Sequence, residues 1–321
     1  MLIDGDDSPF DEAQRAAVRA YAAAHADLEV AGAAWVETLT ELLNESGINY
    51  LSVTGRTKSV TSYAAKVTRL RDGQLVYPDP AQITDQLGAR VITYLRSDVN
   101  AVAELLAEEY DVLEDRDLGE ETASEGRFGY ASRHLLLGSG DRHPISVQVR
   151  TVLQHAWAEF EHDIRYKGTV PTEFGPDLDR RFTLAAGLLE LADREFSEIR
   201  DRLQQGMERR SLSGANTIDP QELAAWLAGR YPEAGWSRTD HYEWIADLAM
   251  GLGITSLDEL ESALATVDSE AITERMGYKY PPGAVRRLDD ALLSTYGEDY
   301  VALERNAHRV GLLRQRLTKL R

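Results

Sequence analysis

A short stretch of the chain, VTGRTKSVTSYAAK, combines cations and hydroxyl groups at helical spacing. Lys58, Ser62 and Lys66 follow one another at four-residue steps, so on a helix they share one face. Thr57 or Ser59 can cap such a helix, and a capped N-terminus attracts phosphate through its unpaired N–H groups and the helix dipole. The pattern therefore predicts a polyphosphate site. The alternative interpretation is an ordinary solvated helix face.

Composition narrows the choice of function. The net charge of -19 argues against broad non-specific nucleic-acid binding, which needs a basic surface, although it leaves room for a local basic pocket. The absence of cysteine excludes disulfides and thiolate metal sites. No apolar run reaches the ~20 residues of a membrane span, and the N-terminus is acidic and polar. We therefore expect a soluble cytoplasmic protein without membrane contact.

Other residues with chemical potential lie farther along the chain. Asp85 precedes a predicted strand, where a carboxylate suits Mg²⁺ shared with phosphates; the alternative is a turn residue. Tyr130 and His134 fall on one face of a predicted strand, an arrangement that suits a stacked base or, alternatively, packing at a sheet edge. The pair His162-Asp163 invites a metal-hydrolase interpretation. We disfavour it because the seven histidines form no second cluster.

Hydrophobic periodicity predicts the elements that must position these residues. The region around Arg116–Phe128 is polar and contains glycine, which favours a mobile loop. In the predicted strand 143–150, Ser146, Gln148 and Arg150 face away from the core. The remaining elements are helices at 11–46, about 58–72, 98–109, 151–168 and 178–207, and strands at 49–54, 89–95, 110–114 and 129–137.

We expect three regions from these patterns. Residues 1–47 form an N-terminal helical segment. Residues 48–210 form the domain that contains the candidate site residues, with a trailing helix. Residues 211–321 form a helical C-terminal region of unknown role. The stretch SLSGANT (211–217) has the composition of a linker.

The segment from about residue 48 to residue 168 resembles the synthetase domain of the RelA/SpoT family, the alarmone (p)ppGpp synthetases. Five motifs carry the resemblance in family order and at family spacing. They are GRTKSVTSYAAK, TDQLGAR, GYASRH, SVQVRT and HAWAEFEHDIRYK. The resemblance implies an α+β fold, a mixed β-sheet flanked by helices and related to nucleotidyltransferases, followed here by an all-α C-terminal extension. It also implies a small, single-activity synthetase without the hydrolase domain and regulatory array of long members, and such proteins are often homo-oligomers.

The implied reaction transfers the β,γ-pyrophosphate of ATP to the 3′-hydroxyl of GDP or GTP in the stringent response, with Mg²⁺ as cofactor. The implied roles of individual residues fall into three groups. Arg56 and Arg90 sandwich the adenine of ATP, and Lys58, Ser62 and Lys66 hold its phosphates. Asp85 binds Mg²⁺ and is catalytic together with Lys58 and Lys66. Tyr130 stacks on the acceptor base, and His134, Gln148, Arg150 and His155 line the acceptor side.

One position departs from the family pattern. The family has Glu where this chain has Ser146, and that Glu serves as the second Mg²⁺ ligand and base. Glu159 and Glu161 are nearby carboxylates in the sequence that could substitute. Two alternatives therefore stand beside the synthetase. One is a toxin-type relative that modifies tRNA 3′ ends or another nucleotide in phage defence or a toxin–antitoxin system, with tRNA disfavoured by the acidic charge. The other is a nucleotide-binding pseudoenzyme.

Overall fold

The computed structural model describes residues 12–129, 131–140, 142–167, 175–207, 218–232, 234–278 and 282–321. These residues form two compact units. The first comprises the described residues within Met1–Thr40, Leu51–Ile92 and Glu109–Ala186, and the second comprises those within Glu41–Tyr50, Thr93–Glu108 and Gly187–Arg321. The three regions expected from the sequence remain a prediction.

The first long element is helix α1, Glu12–Ser46, as the alanine- and leucine-rich pattern predicts. It ends at Gly47, whose φ of 67° lies in the left-handed region that ends many helices. Trp35 and Leu39 are fully buried on one side of α1. The indole Nε1 of Trp35 donates to the carbonyl of His143 at 2.9 Å, which joins the helix to the strand region of the first unit.

A five-stranded mixed sheet flanked by helices forms the centre of the first unit, and this confirms the predicted fold class. The spatial order of its strands is β1-β4-β7-β6-β5. The pairs β5–β6 and β6–β7 are antiparallel. A small hairpin, β2–β3, stands apart from this sheet. The strands are β1 (Tyr50–Thr57), β2 (Leu70–Arg71), β3 (Gln74–Leu75), β4 (Leu87–Thr93), β5 (Asp111–Asp117), β6 (Arg133–Ser139) and β7 (Arg142–Thr151).

Burial along β7 alternates as a half-buried strand requires. Ile145, Val147 and Val149 are fully buried. Ser146 and Gln148 are partly exposed on the opposite face, as predicted. This second face of the sheet, which we call the polar face, carries the side chains of chemical interest.

Two of the expected elements are wrong. The predicted helix at 58–72 is only Val60–Val67 (α2), because the chain turns at Asp72 and Gly73, both at positive φ, into the β2–β3 hairpin. The predicted mobile loop at 116–128 contains the end of β5 and helix α4, Leu118–Ser124. Asp117 caps α4 by accepting hydrogen bonds from the N–H groups of Gly119 and Glu120. An aspartate at this position favours a helix start, but the polar composition of the segment favoured a loop.

The region after residue 217 is helical, as predicted. Its core is continuous and includes Leu223, Ile245, Leu292 and Tyr300. The predicted linker at 211–217 lies outside the described residues. The remaining helices are α3 (Arg96–Glu109), α5 (Val152–Lys167), α6 (Gly175–Met207), α7 (Pro220–Arg230), α8 (Thr239–Gly251), α9 (Leu257–Ala263), α10 (Ser269–Met276), α11 (Ala284–Tyr296), α12 (Glu298–Val301) and α13 (Val310–Leu320). Within the described ranges, no helix has the length and apolar character to cross a membrane.

Candidate active site

The ammonium groups of two predicted phosphate ligands meet at one carboxylate. Lys58 Nζ lies 3.1 Å from Asp85 Oδ2, and Lys66 Nζ lies 2.8 Å from the same oxygen. Lys66 also lies over the ring of Tyr77, with its Nζ 5.1 Å from the ring centroid. The predicted convergence of Lys58, Lys66 and Asp85 is therefore present, with two cations around one anion.

Asp85 is held in its ionised form by these lysines. Burial alone would raise the pKa of its carboxyl group, but the hydrogen bond and charge of Lys66, followed by those of Lys58, lower the pKa below its usual value. Its second oxygen, Oδ1, is buried and has no hydrogen-bond partner in the described part of the chain. In Asp85, Oδ2 therefore takes part in both ion pairs, and Oδ1 has no partner among the described residues.

This arrangement fits Mg²⁺ in one specific way. Mg²⁺ is commonly held by one or two carboxylates together with substrate phosphates and water rather than by an all-protein cage. No group of three or more metal-ligating side chains occurs among the residues that the structure describes. Oδ1 of Asp85 is thus an oxygen ligand of the kind that Mg²⁺ prefers. Further ligand oxygens would come from substrate phosphates and water.

The backbone around Lys58 differs from the helical prediction. Lys58 lies before α2 rather than within it, because Ser59 is the N-cap and accepts the N–H of Ser62 at 3.2 Å. Ser59 also donates to the hydroxyl of Ser62 at 2.9 Å. Ser62 is exposed in the first turn of α2, near the positive end of the helix dipole. The four-residue spacing therefore corresponds to one turn of α2 only between Ser62 and Lys66.

Gly55 is also placed differently from the prediction. It lies inside β1 rather than at the junction with α2. A Cβ added at Gly55 would lie 2.3 Å from Cγ2 of Val36 on α1, a distance at which atoms overlap. Glycine is thus required here by the close approach of α1 to β1.

The strands bring the predicted adenine and acceptor residues to the polar face. Arg56 on β1 is next to Gly88 on β4, since an added Cβ at Gly88 would lie 3.7 Å from Cγ of Arg56 and 3.8 Å from the carbonyl oxygen of Ser146. Two residues after Gly88, Arg90 Nη1 pairs with Glu159 Oε1 at 2.9 Å. The same Glu159 oxygen lies 3.7 Å from Nδ1 of His155, one helical turn earlier in α5.

The predicted acceptor residues on β6 and β7 adjoin one another. His134 is opposite Gln148 in the antiparallel register. Arg150 is buried, donates from Nη2 to the side-chain oxygen of Gln148, and donates from Nε to Ser132 Oγ at 3.3 Å. Gln148 and Arg150 therefore form a fixed pair that faces His134.

Both histidines of this group are neutral near pH 7. Burial, reinforced by the charges of Arg150 and Arg116, lowers the pKa of His134 to about 4. Burial and then Arg90 lower the pKa of His155. A neutral imidazole offers one donor and one acceptor nitrogen, which suits the edge of a base.

The sequence analysis missed the contacts that three residues make with the candidate site residues, and its prediction for Tyr130 is not tested. Tyr21 and His25 on α1 reach the carbonyl of Lys58, and neither residue belongs to a recognised motif. Glu159 was named as a nearby carboxylate, but not as the partner of Arg90. Tyr130, the predicted stacking residue, lies outside the described residues.

Comparisons with known proteins agree on one family. The family model described as "Region found in RelA / SpoT proteins" matches residues 55–170. The GTP pyrophosphokinase YjbM of Bacillus subtilis (strain 168) is 30% identical over 164 residues, which cover 48% of this chain and 73% of that protein.

Two solved structures from Bacillus subtilis are also similar. Small alarmone synthetase 1 is 25% identical, with 56% of this chain and 97% of that chain covered and a TM-score of 0.43. Small alarmone synthetase 2 is 23% identical, with 60% and 100% covered and a TM-score of 0.41.

Proposed function

Because this chain belongs to the RelA/SpoT family, we propose that it is an ATP-dependent pyrophosphokinase that makes (p)ppGpp from GDP or GTP. The observation that carries the proposal is the meeting of Lys58 and Lys66 at Asp85, beside the capped start of α2. The name of the Bacillus subtilis relative supports the same reaction class. As part of the proposal, the protein acts in the cytoplasm, where ATP and guanine nucleotides are available for the stringent response.

The donor half of the site binds ATP by charge. Lys58 and Lys66 are placed to exchange part of their ion pairing with Asp85 for the β- and γ-phosphates, and Ser62 offers a hydroxyl at the dipole end of α2. Arg56 and Arg90 lie on the neighbouring strands β1 and β4, and the proposal assigns them to hold the adenine between them. Pyrophosphoryl transfer depends mainly on such positioning and on charge neutralisation.

Asp85 is the residue proposed to hold Mg²⁺, through the uncommitted Oδ1. Bound there, the ion supplies neutralisation of phosphate charge. Asp85 is ionised at neutral pH because Lys66 and Lys58 lower its pKa, so this ligand needs no deprotonation step. The two lysines also keep the carboxylate fixed when the nucleotide is absent.

The acceptor half fixes the guanine nucleotide. His134 and His155 are neutral and offer hydrogen bonds without adding charge, while Arg150 brings one positive charge held by Gln148 and Ser132. Tyr130 is proposed to stack on the base. In the transfer, the 3′-oxygen of the acceptor forms a bond to the β-phosphorus of ATP, the bond from that phosphorus to the α,β-bridging oxygen breaks, AMP leaves, and one proton is released.

A labelling assay tests this function. The protein is incubated with ATP labelled in the γ-phosphate and, separately, with GDP, GTP, AMP or deacylated tRNA, and the products are separated. We expect label in a guanosine product, and no transfer by the Lys58→Ala variant although it remains folded by circular dichroism. Label on tRNA would instead identify the toxin-type activity, and an active Lys58→Ala variant would contradict the assigned phosphate site.

A second candidate is a protein that binds nucleotides without transferring pyrophosphate, and Ser146 favours it. Ser146 is partly exposed on the polar face beside Gly88, where its hydroxyl is a poor substitute for a carboxylate base. Losing a general base typically lowers a rate by about 10²–10⁴-fold. We expect Ser146→Glu to raise the transfer rate by about 10²-fold or more, the lower end of that range. An unchanged rate in a folded variant would mean that Ser146 does not limit the reaction.

A further inference from the structure

One face of α1 follows β1 closely as far as the phosphate site. We call this face, formed by Tyr21, His25, Leu28, Gly32 and Val36, the strand-facing stripe. Its members recur every three or four residues, as one side of a helix requires. Val36 contacts Gly55, and Gly32 and Leu28 both contact Thr57.

The stripe ends on the backbone of Lys58. Tyr21 donates its hydroxyl hydrogen to the Lys58 carbonyl oxygen at 2.5 Å, and Nε2 of His25 lies 3.1 Å from the same oxygen. A carbonyl oxygen can only accept, so Nε2 of His25 carries the hydrogen. Lys58 precedes the N-cap of α2. Its carbonyl oxygen therefore receives no hydrogen bond from the backbone N–H groups of α2, unlike the carbonyl oxygens from the N-cap onward.

The other side of the same residue is held by the segment that immediately precedes β4. The N–H of Lys58 donates to the carbonyl of Gln86 at 2.9 Å, one residue after Asp85. The backbone of Lys58 is therefore held through its N–H from one direction and through its carbonyl from the other. Its side chain ends 3.1 Å from Asp85 Oδ2.

Tyr21 is built to remain a donor. Its ring is buried and stacks on the ring of Tyr63, with centroids 4.0 Å apart and planes 11° from parallel. Burial, together with the nearby Tyr63 hydroxyl and the Asp85 carboxylate, raises the pKa of the Tyr21 hydroxyl. The hydroxyl therefore keeps its proton at neutral pH.

We propose that Tyr21, supported by His25, is a positioning residue that sets the Lys58 ammonium group for the phosphates of ATP. Tyr21 and His25 lie before the matched RelA/SpoT region, which begins at residue 55, so α1 contributes to the site from outside that region. This role rests on the proposed function of Lys58 as a phosphate ligand. Tyr21 acts on the nucleotide only through Lys58.

A matched pair of tyrosine variants tests the role. Tyr21→Phe removes the hydroxyl group that contacts Lys58 and keeps the stacked ring. Tyr63→Phe removes the hydroxyl group of the stacking partner. Binding of the non-hydrolysable ATP analogue AMPCPP with Mg²⁺ is measured by calorimetry, and the unfolding temperature of each variant is recorded.

We expect Tyr21→Phe to weaken AMPCPP binding about tenfold, the size of one net hydrogen bond that orients a charged ligand. We expect Tyr63→Phe to stay within about twofold of the unmodified protein. In transfer assays, Tyr21→Phe should raise the KM for ATP and leave the KM for the guanine nucleotide unchanged. Equal affinities in the two variants, whatever their unfolding temperatures, would overturn the proposal.

A double-mutant cycle tests whether Tyr21 acts through Lys58. In the Lys58→Ala background, Tyr21→Phe should have no further effect on AMPCPP affinity. A further tenfold loss there would overturn the positioning role. If the unmodified protein binds AMPCPP but transfers no label, the proposed reaction fails, and the binding cycle still decides the role of Tyr21.

Discussion

In the first unit a single carboxylate, Asp85, faces two lysines, whereas in the second unit two carboxylates, Asp289 and Asp290, face three arginines. Asp85 is about one-third exposed and leaves Oδ1 without a partner in the described residues. Asp289 is 1% exposed and accepts from Arg309 and Arg316 through both oxygens and from the Tyr300 hydroxyl. The first cluster therefore leaves one carboxylate oxygen unpaired among the described residues, whereas the second neutralises two carboxylates inside a core.

The second cluster pairs both oxygens of each of its carboxylates, Asp289 and Asp290. Asp290 accepts from Arg316, from Arg286 at 3.3 Å and from the hydroxyl of Tyr278. Burial would raise the pKa of Asp289, but the charges of Arg316 and Arg309 hold it far below its usual value. A buried charge is tolerable only when it is compensated in this way. At Asp85 the compensation is partial, since both lysines contact Oδ2 and the buried Oδ1 has no partner in the described residues.

The largest effect should come from breaking the buried cluster. Asp289→Asn leaves Arg309 and Arg316 without their shared anion, and we expect the free energy of unfolding to fall by about 3–5 kcal/mol, as for other buried pairs that lose one partner. Urea denaturation measures the change. The folded fraction should keep its affinity for AMPCPP. A loss below about 1 kcal/mol would mean that the buried cluster contributes no more than a surface pair.

The corresponding change in the first unit should affect the transfer rate strongly and the stability little. Asp85→Asn removes a partly exposed anion, so we expect the free energy of unfolding to change by no more than about 1 kcal/mol. The transfer rate should fall by roughly 10²–10³-fold, the usual cost of losing one preorganised electrostatic group. The two measurements are made on the same preparation. A large loss of stability with the rate retained would remove the distinction between the clusters.

These differences explain what the sequence could predict. Lys58, Lys66 and Asp85 belong to motifs of the family resemblance, and that resemblance implied a common site. The helical spacing did not, because Lys58 lies outside the helix and Asp85 is far from it in the sequence. Tyr21 contacts a residue 37 positions away and belongs to no motif. The buried cluster was missed for a related reason. Asp289 and Arg316 are 27 positions apart on two different helices, and periodicity does not distinguish a buried charge from a solvated one.

Asp98 combines features of both clusters and offers a pH test. It is buried like Asp289, but its Oδ2 has no partner in the described residues, and burial raises its pKa to about 7 against the opposing charge of Arg200. A raised folded-state pKa means that its contribution to stability is present below the unfolded value near 4 and is lost as the pH rises through about 7. Asp98→Asn does not titrate. We expect the stability of this variant relative to the unmodified protein to rise by roughly 3–4 kcal/mol between pH 4 and pH 8. A constant difference across that range would contradict the assignment.

The smallest expected effect concerns Glu159, whose carboxylate links Arg90 and His155 at the polar face. Its side chain is 52% exposed, so Glu159→Gln should change the free energy of unfolding by less than about 1 kcal/mol. Because Arg90 keeps a hydrogen-bond acceptor in the amide oxygen of Gln, we expect the transfer rate to stay within about threefold, well short of the 10²-fold or greater loss of a general base. Glu161→Gln, on the same helix, is the matched control. A loss of 10²-fold or more in Glu159→Gln alone would identify Glu159 as the proton acceptor that Ser146 does not provide. The site would then contain two catalytic carboxylates, Asp85 and Glu159.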